Sequence, residues 1–258
     1  MATARMAARA VCSGDCGVLR RYGLRPDVAA ALEPIYYTMK FFTLFGNRFR
    51  LLVSSLLRRY ADFRVGARLD EQVTGAADGS ILLTFDDYGS TAQVGRLLEI
   101  LGRKQVRAAF FVLGDWAERE PGLVDQIRHS GHILANHTYS HANLLSLDEA
   151  GVRDQIRRGW PGNWLRPPFG RYNAQIRKIA LELGYAIKYW NIDSDDWRGV
   201  SREFMIAKIM TEIKPGSVIL FHIHVDTTAD AMDELIDAIR ARGLRLCAPG
   251  QAIWGSAE

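Results

Sequence analysis

The residues best suited to chemistry lie in three short stretches, Thr84-Phe85-Asp86-Asp87, His137-Thr138-Tyr139-Ser140-His141 and Leu220-Phe221-His222. They supply two adjacent carboxylates, a histidine pair four residues apart and a separate histidine. Those are the parts of a one-metal hydrolase: three ligands, a base and an acid. A catalytic metal site usually takes three protein ligands and leaves a position for water. His137 and His141, on one helical turn, would face the same way. In an extended strand Asp86 and Asp87 would point to opposite sides. A turning loop lets both line one cavity, one carboxylate binding metal while its neighbour accepts a proton. The competing role for the Asp-Asp pair is to cap a helix beginning near Thr91. His222 follows a buried-looking run and is well placed to donate a proton to a leaving group; His224 is its rival. His129 and His132 flank an expected helix end, where dipole or solvent roles account for them.

Each stretch follows an apolar run that reads as a strand, so each should sit on a loop at a strand's carboxyl end. Strands are expected at Ile81–Phe85, Ala108–Leu113, Ile133–Ala135, Ala186–Trp190, Val218–Phe221 and Leu244–Ala248, with a short seventh at Trp164-Leu165. Helix-period segments lie between them, at about 91–104, 121–130, 147–158, 174–184, 201–213 and 229–242. Gly102, Gly131, Gly184 and Gly243 fall near the ends of four of these, as helix C-caps favour. Strand-helix repetition implies a parallel α/β sheet, and seven units suit a distorted (β/α)7 barrel. No G-x-G-x-x-G or P-loop is present, which argues against nucleotide binding.

A chain of 258 residues, 48% hydrophobic, can bury one large core. Its three cysteines exclude a disulfide scaffold, and Cys12 and Cys16 have no second Cys or His pair nearby. The net charge of +4 is unevenly spread. Residues 1–75 hold 12 Lys/Arg against 6 Asp/Glu, while the remainder holds 21 against 23, so the catalytic part offers no nucleic-acid footprint. Met1 to Gly17 lacks the apolar core of a secretory signal, which favours a cytoplasmic or membrane-associated protein. The basic, aromatic segment at 35–60 could lie on an anionic membrane surface, although packing on the barrel as an accessory helical pair is the preferred expectation. Gly75-Ala76-Ala77-Asp78-Gly79 reads as a joint. The expected domains are a basic helical extension at 1–75 and a catalytic domain at 76–258.

Over roughly residues 80–250 the chain resembles the polysaccharide deacetylases of the NodB-homology type, carbohydrate esterase family 4, with five motifs in order. Thr84-Phe85-Asp86-Asp87 matches the first, which implies Asp86 as base and Asp87 as metal ligand. His137-Thr138-Tyr139-Ser140-His141 matches H-[S/T]-x-x-H and implies His137 and His141 as the other ligands. Arg166-Pro167-Pro168-Phe169-Gly170 is similar to the third, whose Arg orients the base. Asp193-Ser194-Asp195-Asp196-Trp197 fits D-S-x-D-W, which implies Asp193 as partner of the catalytic His and Trp197 as a groove wall. Leu220-Phe221-His222 fits L-x-H and selects His222 over His224 as the acid. The resemblance implies zinc, or cobalt or nickel in its place, and hydrolysis of the acetamide of an N-acetylated sugar. The metal and the Phe169 N–H would steady the oxyanion, and Trp197 and Phe169 would form apolar walls for the sugar. A different C–N bond, in a cyclic ureide or imide, and a non-catalytic glycan-binding module are the alternatives.

The chain departs from the pattern in places. Tyr88 stands where the first motif continues with Gly, which would narrow the groove or add a phenol to substrate binding. Ile223 stands where Asp usually follows the acid, and only about 24 residues separate His141 from Arg166.

Overall fold

The computed structural model describes residues 78–248. The expected extension at 1–75, its membrane-facing segment at 35–60, and Cys12 and Cys16 lie outside the described residues. The order of elements is β1 (Leu82–Asp87), α1 (Thr91–Arg103), β2 (Ala109–Val112), α2 (Gly114–Arg119), α3 (Pro121–His129), β3 (Ile133–Asn136), α4 (Glu149–Arg157), β4 (Trp164–Leu165), α5 (Ala174–Glu182), β5 (Ala186–Ile187), β6 (Ile192–Asp193), α6 (Arg202–Glu212), β7 (Val218–His222) and α7 (Asp226–Ala241). Short 3-10 turns lie at Leu144–Ser146, Pro168–Gly170 and Asp196–Arg198.

The strands form one parallel sheet in the order β5-β4-β3-β2-β1-β7-β6, a curled half-barrel left open between β5 and β6. This is the distorted (β/α)7 arrangement expected from the alternation. Its seventh strand is a different one. Leu244–Ala248 forms only a single bridge, Leu246 to Ile81, whereas Ile192–Asp193 pairs with β7. The Leu244–Ala248 run is apolar because Leu246 and Cys247 are buried. Two-residue strands such as β6 carry no readable period. The six-residue α2 was missed for the same reason.

β1 is buried along its whole length, as central strands of a covered parallel sheet are. Successive side chains alternate. Leu83 and Phe85 join the cluster made with α1, α3, α6 and α7, where Phe85 stacks between Phe110 and Phe221 at 4.9 and 5.5 Å. Leu82 joins Ala109, Phe111, Ala135, Val218 and Cys247 in the interior of the curl. Thr84 and Asp86 share the Leu82 side by the same alternation, so β1 sends a hydroxyl and a carboxylate into that interior. The cap of α1 is Ser90, whose side chain accepts the Gln93 N–H while Gln93 reaches back. Both aspartates are thereby released from the capping role weighed above.

His132 corrects another expectation. It is neither at the surface nor near solvent but buried beside Phe110, where Nδ1 accepts the Ala108 N–H at 3.2 Å and Nε2 has no partner. Burial, with Arg107 nearby, pushes its pKa down to about 4. The unfolded chain therefore takes up this proton first as pH falls, and stability drops between the ordinary His value and about 4. Over that window roughly 3 kcal/mol should be lost. Denaturant unfolding at several pH values checks this: His132→Gln should flatten the loss, and an unchanged slope would remove His132 as its source.

Candidate active site

The carboxylates, imidazoles and arginine of the motifs sit at or beyond strand carboxyl ends, the face where barrels of this kind carry chemistry. Asp86 and Asp87 end β1, His137 follows β3, Arg166 follows β4, and His222 ends β7 opposite Asp86 in the ladder. The backbone there is unusually contorted. Of six described non-glycine residues with positive φ, five lie in these loops: Asp87 (79°), Thr138 (69°), His141 (58°), Phe169 (59°) and Asp195 (59°). Each costs on the order of 1 kcal/mol or more and persists only where the surroundings enforce it. At Asp87 the turn swings the second carboxylate to the same side as the first. At Thr138 the enforcing group is Asn136, wholly buried, whose Oδ1 accepts the Thr138 N–H at 2.7 Å while Nδ2 donates to the Ile156 carbonyl at 2.8 Å. Gly159 makes room for it, since a Cβ there would lie 2.2 Å from Asn136 Oδ1.

Asp87, His137 and His141 offer three ligand atoms within 4.8 Å of one another, a site with the donors for a metal ion. His137 Nε2 and His141 Nε2 each lie 3.4 Å from Asp87 Oδ1. That is long for a hydrogen bond and matches the edge of about 3.3 Å between ligands of a tetrahedral ion. Asp87 Oδ1 is buried with no hydrogen-bond partner. His137 Nδ1 donates to the Arg166 carbonyl at 2.7 Å, which turns the Nε2 lone pair toward Asp87, the usual support of a ligating imidazole. Burial opposes charge on Asp87, but the facing histidines outweigh it and hold the carboxyl well below the usual range. Burial, with His137 beside it, pushes His141 down toward the neutral ring. At His137 burial also disfavours charge, yet Asp86 and Asp87 outweigh it and raise the ring's proton affinity. The residues present fit a divalent ion.

Asp86 lies beside this trio, its Oδ2 3.7 Å from His137 Nε2. Its Oδ1 accepts from Arg166 Nη1 at 2.6 Å. The guanidinium has no exposed surface and spends its other donors on Thr84 Oγ1 at 2.9 Å and the carbonyls of Lys188 and Tyr189 at 3.2 Å. It stacks over Phe111 at 3.9 Å. Arg166 thus aims Asp86 with its side chain and His137 with its backbone.

The partner of His222 is Asp196, not Asp193. Asp196 Oδ1 accepts from His222 Nδ1 at 2.7 Å and from the Trp197 N–H at 2.8 Å. Its Oδ2 accepts the His222 N–H at 2.7 Å and the Thr228 hydroxyl at 2.6 Å. Asp193 instead accepts the Asp195 N–H at 2.9 Å, and its carbonyl takes Lys208 Nζ. The reason is local: β6 ends at Asp193, and the left-handed Asp195 reverses the chain so that the later carboxylate comes under β7. Burial opposes charge on His222, but Asp196 outweighs it and pushes the pKa up to about 9. Thr228, in the first turn of α7, was missed; a buried hydroxyl six residues after His222 leaves no periodic signal.

Three exposed aromatic residues adjoin these groups: Tyr88, Phe169 and Trp197 keep 48%, 58% and 49% of their surface. Phe169 stands edge-on to His141 at 4.5 Å, and Arg198 stacks on Trp197 at 4.6 Å. Tyr88 stacks on His224 at 5.1 Å. His224, the rival acid, lies close by: its Nδ1 is 3.6 Å from Asp87 Oδ2, and its ring stands edge-on to His222 at 5.8 Å.

The sequence and fold match known proteins over this region. The polysaccharide deacetylase family profile matches residues 74–187. A peptidoglycan-N-acetylglucosamine deacetylase of Bacillus cereus is 35% identical over 178 residues, covering 64% of this chain and 65% of that protein. A chitooligosaccharide deacetylase of Rhizobium leguminosarum bv. trifolii is 27% identical over 195 residues, covering 67% of this chain and 91% of that one. The solved Bc1960 peptidoglycan N-acetylglucosamine deacetylase superposes with a TM-score of 0.64 at 33% identity, covering 67% of this chain and 88% of that one. The chain belongs to the polysaccharide deacetylases of the NodB-homology type, carbohydrate esterase family 4. It spans slightly less than two thirds of the length of the Bacillus cereus relative.

Asp196→Asn should lower the His222 pKa by a unit or more, because the facing anion is gone, and Asp193→Asn should move it less. Imidazole titration by NMR reads both; a larger shift from Asp193→Asn would reverse the pairing.

Proposed function

We propose that this chain is a metal-dependent hydrolase that removes the N-acetyl group from an acetamido sugar. The observation that carries the reading is the convergence of Asp87 Oδ1, His137 Nε2 and His141 Nε2 beside a carboxylate, Asp86, clamped by Arg166. Relatives are named for peptidoglycan and for chitooligosaccharides, and N-acetylated amino sugar is what those substrates share. Asp87, His137 and His141 would hold the ion; two imidazoles and a carboxylate suit zinc, with cobalt and nickel close behind. When bound, such an ion supplies Lewis acidity, lowering the pKa of water toward neutrality and polarising the acetamide carbonyl.

The residues of the chain do the rest. Asp86 takes the proton of the attacking water. It is held in one orientation by the 2.6 Å bond from Arg166, which also compensates its buried charge. The developing negative charge is steadied by the Phe169 N–H, whose loop the left-handed φ turns back toward His141. His222 enters the reaction protonated, because Asp196 favours its cation, and gives that proton to the departing amine. Phe169 and Trp197 flank the sugar with apolar surface, and burial of Asp86 and Asp87 keeps bulk water off the carboxylates.

Purified protein with a panel of N-acetylated sugars tests this by acetate release. Activity should vanish with chelator and return with zinc. Asp86→Asn should keep its metal and lose at least 100-fold in kcat, the scale of a lost general base, whereas loss of metal instead would exchange the roles of Asp86 and Asp87. His137→Ala should lose metal and activity together. Activity should also fall as pH rises through about 9, where His222 gives up its proton, and Asp196→Asn should bring that fall to lower pH; a limb that stays put would take the acid role from His222.

A further inference from the structure

The two departures noted in the sequence, Tyr88 and Ile223, meet in the fold. Tyr88 directly follows the left-handed Asp87. One face lies flat on His224, at 5.1 Å and 13°, while nearly half of the residue remains exposed. His224 in turn sits against Asp87, Nδ1 3.6 Å from Oδ2, and stands at 5.8 Å edge-on to His222. Its Nδ1 is buried and has no hydrogen-bond partner. Behind the stack, Gly89 packs so closely on Ile223 that a Cβ there would lie 2.5 Å from Cγ2. Gln93 latches the two loops: Nε2 donates to the His224 carbonyl at 2.9 Å and to Asp226 at 2.8 Å, while Oε1 accepts the Ser90 N–H at 3.0 Å. The aromatic pair is therefore a braced plate with one open face, Tyr88 coming from the connection after β1 and His224 from the connection after β7.

An aromatic plate held this way beside a hydrolytic centre has a chemical match. A hexopyranose with equatorial substituents presents a face of axial C–H groups, the apolar surface that fits a ring's negative π face. We propose that Tyr88, backed by His224, is a substrate-contacting wall that stacks on a pyranose ring of a gluco-configured sugar chain. His224 acts as a positioning residue, holding the Tyr88 ring in plane and tying it to Asp87. This rests on the N-deacetylase reading for the identity of the ligand, but stacking does not require turnover.

Binding is therefore the test. Calorimetry with the metal-loaded Asp86→Asn protein and an N-acetylglucosamine tetramer sets the reference affinity. Added to that background, Tyr88→Leu, which keeps bulk and loses the ring, should weaken binding about tenfold, the upper range for an aromatic pair. Tyr88→Phe should bind as the reference does. His224→Ala should weaken binding, and His224→Phe, which restores a flat support, should recover it. Thermal midpoint and metal content should stay level across the set. Unchanged affinity in Tyr88→Leu overturns the wall, whether or not the parent releases acetate. A Tyr88-dependent affinity in a parent that releases no acetate upholds the wall and overturns the deacetylase reading. No binding by the reference protein overturns the wall, while acetate release by the parent decides the deacetylase reading.

Discussion

The Arg166 guanidinium, wholly buried against Asp86 at 2.6 Å, is the contact on which the rest of the site depends. One residue performs three tasks. Its side chain reaches from the end of β4 to Thr84 and Asp86 on β1, and it binds the carbonyls of Lys188 and Tyr189 beyond β5. Its own carbonyl orients His137. Lysine could not replace it, because a single ammonium cannot donate in the several fixed directions a planar guanidinium covers. A buried ion pair of this kind adds little over well-packed apolar residues. Removing either partner, however, leaves an uncompensated charge at a cost of about 3–5 kcal/mol. Its worth lies in specifying one arrangement of β1, β4 and the His137 loop.

That arrangement is held against local backbone preference. Left-handed conformations at Asp87, Thr138, His141, Phe169 and Asp195 would relax in an isolated peptide. They persist because the loops are anchored at both ends by a sheet buried on both faces. Side chains beneath them, Asn136 under Thr138 and Asp196 under the Asp195 turn, fill the positions that relaxation would need. Strain and preorganisation are here one property: donor atoms that face one another at 3.4 Å are already where a cation would draw them.

Much of this could be read from the chain, for identifiable reasons. Asp86-Asp87 and His137/His141 are local patterns, and each follows an apolar run long enough to show itself as a strand. The His222 partner was not legible, because Asp193, Asp195 and Asp196 are interchangeable on paper. Only the end of β6 and the left-handed Asp195 decide which carboxylate reaches β7. β6 itself, two residues long, was hidden, and Leu244–Ala248 resembled a strand because burial of Leu246 and Cys247 demands the same composition. His132 looked like a helix-end residue because the sequence shows its neighbours along the chain, not Phe110 across the sheet. Thr228 and Asn136 share that difficulty, since a polar residue satisfied in the interior carries no mark until its partners are known.

Asp86 and His222 face each other in the register of β1 and β7. The two groups assigned to proton transfer are therefore spaced by the hydrogen-bonded ladder itself, about 4.8 Å from strand to strand. Tyr88, Phe169 and Trp197, by contrast, ride on the connections after β1, β4 and β6. The spacing of Asp86 and His222 is thus set by the ladder, whereas the exposed aromatic surface rides on connections that the ladder does not fix. A loop can change in length or sequence while the distance between those two residues stays as invariant as the pitch of the sheet.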